Sequence, residues 1–294
     1  MVSEKIKMEN IPIRRIKGIP KEPNLSGSFS IREIQELLEG KDMIQELHRH
    51  DFYYILVLEK GSGSHEIDFT SYEIFDYSIF LMRPGQVHQL NLKSGSSGYL
   101  LQFKTDFFYT QNKLSQELLR KVSHINFCSL NGNGFKRMEA ILSYILKEYS
   151  EKQEGYQEVI KSNLSILFIE LVRHRQNKKN TTNDTNQYSQ EQLEKFHELL
   201  ETHITKNKQV SQYADMLHIS IYQLNAITKT LLNRTPSELI NEHIVLESKR
   251  QLLATSNQVN QIADHLGYDD ISYFIRFFKK HTNYSPEAFR NNFK

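Results

Sequence analysis

The chain of 294 residues contains one cysteine, Cys128, so it cannot form an internal disulfide. A single cysteine suits a reducing compartment such as the cytoplasm. Long apolar runs are also missing, because the run at residues 53–58 is far shorter than the roughly 20 residues that span a bilayer. No signal-peptide core follows Met1. We therefore expect a cytoplasmic protein that enters no membrane.

An excess of one charge sign is absent too, since the formal net charge is only +2. Residues 191–294 hold 12 basic and 12 acidic side chains. Positive charge is nevertheless local, with Arg276, Lys279, Lys280 and Arg290 close together near the C-terminus. A basic face of this kind, rather than a basic domain, is what binding to DNA requires.

The C-terminal third contains an internal repeat. QYADML at residues 212–217 resembles QIADHL at residues 261–266, and each is followed by an amphipathic run, at residues 220–229 and 270–279. Three pairs of landmarks are separated by 50 residues: Leu224 and Phe274, Lys229 and Lys279, Pro236 and Pro286. The pattern predicts two helix-turn-helix units produced by duplication.

The turns of the two units differ in length. Ala214 and Ala263 are separated by 49 residues, so the second unit has one additional residue in its turn. There the sequence Gly267-Tyr268-Asp269 replaces His218-Ile219. Because glycine readily adopts a positive φ, it suits a tight turn at this position.

In a helix-turn-helix unit the second helix enters the major groove, so its two faces must differ in chemistry. With Leu224 taken as buried, Ile227 and Thr228 fall on the same side at 3.6 residues per turn. Arg276 suits a guanine edge or a phosphate, Asn225 suits adenine, and the lysines suit phosphates. The residues expected to face DNA are Ser220, Tyr222, Asn225, Ala226, Lys229, Ser272, Ile275, Arg276, Lys279 and Lys280.

Residues 262–268, 272–280 and 285–290 resemble the signature of AraC/XylS-type transcription regulators. The resemblance implies a seven-helix domain whose two units are joined by one long helix, here residues 236–253, and enter successive major-groove segments on one face of DNA. Several positions depart from the family pattern: Ala226, Thr228, Asn233, Arg234 and Asn283. An ordinary helical hairpin is the simpler interpretation of one unit, but two aligned copies favour DNA binding.

Residues 174–187 contain no apolar side chain and predict a flexible linker. We therefore expect a sensor and dimerisation domain at residues 1–173, a linker at 174–189 and a DNA-binding domain at 190–294. Ahead of the linker, apolar residues recur at helical spacing over residues 135–149 and 160–171. These two faces either cover the core of their own domain or form a homodimer contact.

Short strands are predicted at residues 53–58, 63–69, 72–75, 78–82 and 99–103. Their spacing predicts a small β-barrel with trailing helices, and the whole chain is expected to be α+β. His48-Arg49-His50 and the later Pro84-Gly85-Gln86-Val87-His88 resemble the paired motifs of cupins, which often form the sensor domain of AraC-type regulators.

Three histidines, His48, His50 and His88, are candidates for a divalent metal, because a His-x-His pair on a strand points both rings to one face. Metal-dependent cupin enzymes usually add a glutamate shortly after the pair, and none is present here. We therefore predict no metal and no cofactor. His48, His50, Tyr54 and His88 are instead expected to line an effector pocket or to form hydrogen bonds within the fold.

The sequence thus predicts a sequence-specific transcription regulator, not an enzyme, whose barrel binds a small-molecule effector. The expected partner is promoter DNA with two major-groove segments. Possible further partners are a small-molecule effector and a second copy of the chain in a homodimer. RNA polymerase is a further expected partner if the protein is an activator. We expect the protein to be cytoplasmic and associated with the nucleoid. The alternative is a metal-dependent cupin enzyme with an appended DNA-binding module.

Overall fold

The structure is a computed structural model that describes residues 13–14, 16, 28–108, 113–123, 125–179 and 185–293. The chain divides into two compact units at residues 180–181. The N-terminal unit combines strands and helices, whereas the C-terminal unit is helical, so the α+β prediction is confirmed. Over the described ranges, no helix is both long enough and apolar enough to cross a bilayer.

The described part of the N-terminal unit contains two five-stranded sheets. In spatial order, the first contains β1 (Ile13–Arg14), β3 (Met43–His50), β8 (Val87–Leu92), β5 (Gly63–Ile67) and β6 (Thr70–Ile74). The second contains β10 (Phe127–Ser129), β7 (Ser78–Met82), β4 (Tyr53–Lys60), β9 (Ser97–Phe103) and β2 (Phe29–Glu33). Neighbours are antiparallel except for β1 and β3. Every predicted strand overlaps an observed one.

Strand β4 explains the apolar run at residues 53–58, because both of its faces are buried. Tyr54, Leu56 and Leu58 belong to the core between the two sheets. Ile55 and Val57 point the other way and belong to a second core, which includes the helices. A strand covered on both faces is expected to be apolar throughout rather than alternating.

Among the described residues, five helices accompany the sheets: α1 (Ile34–Leu38), α2 (Thr105–Phe108), α3 (Lys113–Ser123), α4 (Gly132–Glu151) and α5 (Tyr156–Lys179). The apolar face predicted for α4 supplies the buried Phe135, Met138, Leu142 and Ile145. The face predicted for α5 is buried in the same core. Both faces therefore cover the core of their own domain, and dimerisation stays a prediction.

The predicted linker is helical at both ends. Helix α5 continues to Lys179, α6 begins at Thr185, and residues 180–184 of the linker lie outside the described residues. Arg175 explains the extension of α5, because its guanidinium donates hydrogen bonds to the backbone carbonyls of Val122, at 2.7 Å, and Ile125, at 3.2 Å. A polar segment can thus be ordered by hydrogen bonds to a neighbouring backbone rather than by apolar burial.

Seven helices form the described part of the C-terminal unit: α6 (Thr185–His203), α7 (Val210–Met216), α8 (Ile221–Leu232), α9 (Pro236–Ala254), α10 (Val259–His265), α11 (Ile271–Thr282) and α12 (Pro286–Phe293). Helices α7 and α10 each have 7 residues, and α8 and α11 each have 12. The two helix-turn-helix units and the long helix α9 are as predicted.

The two turns share one backbone conformation. His218 and Gly267 occupy equivalent places with positive φ values of 55° and 70°. Ile219 N–H donates to Ala214 O, and Tyr268 N–H donates to Ala263 O in the same way. The additional residue of the second turn is therefore Asp269, which separates Tyr268 from the N-cap of α11.

The second turn also packs against the first unit. The ammonium of Lys208, between α6 and α7, donates a 2.8 Å hydrogen bond to Gly267 O. It also lies 4.9 Å from the ring centroid of Tyr268, a cation–π contact. The Tyr268 ring packs on the apolar core of the first unit. These contacts fix the position of the second helix-turn-helix unit against the first.

Replacing Gly267 with alanine is expected to destabilise the C-terminal domain. A Cβ there would lie 2.3 Å from Thr205 O, and φ is +70°. Holding a non-glycine residue in the left-handed region alone costs about 1–3 kcal/mol. We expect Gly267→Ala to lower the free energy of unfolding by at least this amount in chemical denaturation of the full chain.

His218→Gly is the matched control, because it places glycine in the equivalent turn, where a positive φ is already adopted. This variant should retain the stability of the parent chain or exceed it. Equal losses in both variants would show that the contact with Thr205 is not what makes glycine necessary at residue 267.

Candidate functional site

The outward faces of α8 and α11 are accessible. In α8, Leu224, Ile227 and Thr228 are buried, whereas Tyr222 is 83% exposed. The residues predicted to contact DNA lie on these outward faces: Ser220, Tyr222, Ala226, Lys229, Ser272, Arg276, Lys279 and Lys280 are exposed, and Asn225 and Ile275 are half-buried. Contact with DNA itself stays a prediction for these ten residues.

Local hydrogen bonds already engage some of these side chains. Ser220 caps α8, and its hydroxyl accepts a hydrogen bond from Gln223 N–H at 3.1 Å. The side-chain amide of Asn225 donates to Ile221 O at 3.0 Å. The second N–H of this amide and its oxygen are not used in that bond, so Asn225 can still offer a donor and an acceptor to an adenine edge.

The exposed side chain of Arg276 projects from α11 and forms a weak ion pair. Its guanidinium lies 3.8 Å from the Asp270 carboxylate, and the two side chains are 69% and 63% exposed. An exposed ion pair at this distance contributes less than about 1 kcal/mol. The guanidinium can thus leave Asp270 for a base edge or a phosphate at small cost.

Arg290, which adds to the local positive charge of the sequence, has a different environment. Its guanidinium donates hydrogen bonds to Leu252 O at 2.9 Å and to Asn257 O at 2.6 Å. Leu252 lies in the last turn of α9 and Asn257 precedes α10, so Arg290 connects α12 to the start of the second helix-turn-helix unit. We assign it a role in positioning α12 rather than in groove contacts.

A second constellation lies between the two sheets of the N-terminal unit. His48 and His50 project from β3, His88 from β8 and His65 from β5, and each is at most 4% exposed. The strand order β3, β8, β5 brings the four rings together on one face of the first sheet. The Tyr54 ring comes from the opposite sheet and stacks on His50 with centroids 5.4 Å apart.

A β-bulge in β3 determines that His48 and His50 point inward. The residue paired with Leu90 is Gln45, but the residue paired with His88 is His48, so β3 has one additional residue between the two pairs. A regular ladder would place Leu47 opposite His88 and would turn both histidines to the outer face.

The imidazoles contact one another directly. Nε2 of His88 lies 2.7 Å from Nε2 of His50 and 3.0 Å from Nε2 of His48. Nδ1 of His88 lies 2.8 Å from Nε2 of His65. Nδ1 of His48 donates to Glu46 O at 2.7 Å, because a carbonyl can only accept. The neutral His48 ring therefore presents an unprotonated Nε2 to His88.

Burial keeps these rings uncharged. It lowers the pKa of His48 to about 4 and the pKa values of His50 and His65 to about 3. It also lowers the pKa of His88 well below its usual range. At pH 7 the cluster is therefore a set of neutral nitrogen donors, the form in which imidazole binds metals. The buried Tyr54 hydroxyl has no hydrogen-bond partner in the described part of the protein.

The structure brings together the four predicted ligand-binding residues, His48, His50, Tyr54 and His88, and adds His65. The sequence analysis missed His65, although a signal was present. In the predicted strand at residues 63–69, His65 and Ile67 are two residues apart, so their side chains lie on the same face of the strand. Ile67 is buried. A histidine on the apolar face of a strand is a candidate for an interior polar site.

Residues 39–165 match the family model described as an AraC-like ligand binding domain. Residues 213–292 match a model described as a helix-turn-helix domain. These segments contain the histidine cluster and the two helix-turn-helix units, respectively.

Similar proteins are transcription regulators by name. The uncharacterized HTH-type transcriptional regulator YfiF of Bacillus subtilis is 21% identical, over 84% of this chain and 79% of its own length. The HTH-type transcriptional activator RhaS of Escherichia coli O157:H7 is 23% identical, over 83% and 86%. Among solved structures, ToxT from Vibrio cholerae is 19% identical, covering 91% of this chain and 99% of its own, with a TM-score of 0.42.

Arg290 and Arg276 should differ in their effect on stability. Arg290→Ala removes two hydrogen bonds from a charged donor to backbone carbonyls, and each such bond contributes about 1.5–3 kcal/mol. We expect it to lower the free energy of unfolding by about 1.5–3 kcal/mol or more. Arg276→Ala should change it by less than about 1 kcal/mol. Urea denaturation of the full chain measures both, and equal losses would mean that Arg276 also holds the fold together.

Proposed function

The chain belongs to the AraC family of transcription regulators, and we propose that it binds promoter DNA in a sequence-specific manner with both of its helix-turn-helix units. Each unit would place its second helix, α8 or α11, in the major groove. The observation that supports this most directly is the pair of 12-residue helices, each with an exposed outward face and a buried inner face.

The geometry of the C-terminal domain supports simultaneous use of both helices. Lys208 and Tyr268 hold the second turn against the first unit, and α9 packs with helices of both units. Units fixed against each other lose little further conformational freedom on binding, which favours a single spacing of two DNA segments.

We propose that the second unit contributes more of the affinity. Its outward face has Arg276, Lys279 and Lys280, whereas α8 offers Lys229 together with the apolar Ala226. Arginine and lysine supply the contacts to phosphates and to guanine that dominate binding to DNA. The first unit would add selectivity through Asn225 and Tyr222.

The N-terminal domain is proposed to be the sensor, with an effector bound among His48, His50, Tyr54 and His88. The match to an AraC-like ligand binding domain supports this assignment. The protein would act in the cytoplasm, on the nucleoid, and would contact RNA polymerase if it activates transcription.

We also propose a homodimer. The inner faces of α4 and α5 are occupied by their own core, so a dimer would use outward residues. Tyr144, Ile166 and Ile169 are apolar and exposed on these two helices. Sedimentation of the full chain at several concentrations is the direct measurement.

One observation favours the alternative, a metal-dependent cupin enzyme with a DNA-binding module. The three histidines that such an enzyme requires do converge. However, the glutamate that such enzymes usually have shortly after the His-x-His pair is missing here. The named relatives are transcription regulators, which also supports regulation over catalysis.

Selection of the full-length protein on random duplex DNA at near-physiological salt should enrich a motif with two segments. Because both helices are expected on one face of B-DNA, the segments should be about 10 base pairs apart. Sequencing of the retained DNA provides the measurement. Retention without any motif, lost as salt rises, would mean nonspecific phosphate binding and would contradict the proposal.

Arg276→Ala should weaken binding to the selected site by about 1–3 kcal/mol, the range for a bidentate contact between arginine and guanine. It should also relax base preference at one position of the second segment. Arg173→Ala is the matched control, because it removes the same charge from an exposed side chain of the N-terminal domain. That control should leave both affinity and motif unchanged.

Arg276→Lys separates the two possible contacts. Lysine keeps the charge but loses the planar pair of donors. If Arg276 reads guanine, this variant loses preference at the same position as Arg276→Ala. If it binds phosphate, affinity falls slightly for all sequences and the motif stays intact, which would contradict the assigned role.

A further inference from the structure

Three ring nitrogens of the histidine cluster converge on one point. The ligand atoms of His48, His50 and His88 all lie within 4.8 Å of one another, and all three residues are buried. The Nε2 atom of His88 contacts Nε2 of both partners, at 2.7 Å and 3.0 Å. We propose that His48, His50 and His88 bind one divalent transition-metal ion through their Nε2 atoms.

The spacing suits such an ion after a small adjustment. Nitrogen ligands at about 2.0–2.1 Å from a tetrahedral zinc ion are separated by about 3.3–3.4 Å. The contacts of 2.7 Å and 3.0 Å would need to lengthen by less than about 1 Å. The widest separation among the three ligand atoms, up to 4.8 Å, would need to shorten by about 1.4 Å. Three protein ligands leave a fourth position for water or an anion.

Hydrogen bonds on the far side of two of the three rings, those of His48 and His88, leave Nε2 facing the ion, whereas Nδ1 of His50 has no partner among the described residues. His48 donates from Nδ1 to Glu46 O, which leaves Nε2 as the metal donor. His65 Nε2 lies 2.8 Å from His88 Nδ1, so it can accept a hydrogen bond from His88 Nδ1–H, which leaves His88 Nε2 unprotonated for the ion. Metal-binding histidines usually have such a partner on the other ring nitrogen. His65 is thus a positioning residue rather than a ligand.

The ligand set determines the class of metal. Imidazole suits zinc, copper, nickel and iron, whereas magnesium and calcium prefer oxygen ligands. The converging donors are three neutral imidazoles, and no carboxylate joins them among the described residues. The site therefore favours a transition metal and should discriminate strongly against magnesium.

The packing also favours an ion over an organic effector. His50 and His88 are already in contact, and the Tyr54 and Phe80 rings lie against the cluster, with His65 and Phe80 centroids 4.7 Å apart. An organic molecule would have to displace these rings, but a single ion needs only the point where the nitrogens meet. If the proposed regulator function holds, the metal is the effector of the sensor domain.

Cobalt(II) provides the first test, because its visible absorption reports tetrahedral nitrogen ligation directly. Full-length protein treated with a chelator and then dialysed should bind one Co²⁺ per chain, with visible bands that Zn²⁺ abolishes and Mg²⁺ does not. Wild-type protein that develops no bands while remaining folded by circular dichroism would overturn the proposal.

Variants locate the site. His48→Gln and His88→Gln should each abolish the bands, whereas His65→Gln should keep them with affinity lower by about 10–100-fold. His265→Gln is the control, because this histidine is exposed on α10 in the other domain. Bands that survive both ligand substitutions, or that disappear in the control, would place the ion elsewhere.

The DNA selection, performed on the same preparation, separates this inference from the proposed function. A protein that selects a DNA motif but binds no metal would contradict the metal site alone. A protein that binds one Co²⁺ but enriches no motif would contradict DNA regulation alone.

Discussion

The contact between Lys208 and the turn at Gly267 and Tyr268 is the constraint on which the C-terminal domain depends. A helix-turn-helix unit is a small structure with few buried residues, and two of them on a flexible connection would present their helices at many spacings. Here the ammonium of Lys208 meets Gly267 O and the Tyr268 ring, and that ring packs on the core of the first unit. The absence of a Cβ at residue 267 is what permits the Thr205 carbonyl to approach the turn.

In the N-terminal domain the main constraint is different: polar groups are buried between two sheets. Four imidazoles in an apolar core are costly unless their nitrogens find partners or a ligand. Most of their partners are one another, and burial keeps the rings neutral. The bulge in β3 is as important as the histidines themselves, because it directs His48 and His50 into the interior. Two ring nitrogens, Nδ1 of His50 and Nδ1 of His65, have no hydrogen-bond partner among the described residues, so the polar groups of the cluster are only partly satisfied.

Local sequence patterns were sufficient to predict many of the helices and strands. The repeat predicted α7, α8, α10 and α11, and even the additional residue of the second turn, because duplicated units retain caps and spacing. Helical spacing predicted the buried faces of α4 and α5, and the apolar run predicted β4. Composition did not predict that α5 continues into this polar segment, where Arg175 donates hydrogen bonds to carbonyls some 50 residues earlier in the chain. Such partners leave no trace in local composition.

The sequence by itself determined the two helix-turn-helix units, because their repeat, caps and turns follow from spacing along the chain. The grouping of His48 and His50 with His88 was predicted from the resemblance of their motifs to those of cupins. The tertiary structure alone decided three other features. The first is the β-bulge in β3, which reverses the face on which the following residues lie. In a regular strand, His48 would point to the outer face together with the exposed Ile44. The tertiary structure brought His65 beside His88, because β5 and β8 pair across 23 residues of sequence. It also directed Arg290 to backbone carbonyls instead of solvent. In each case the deciding interaction joins residues distant in sequence, which no local periodicity records.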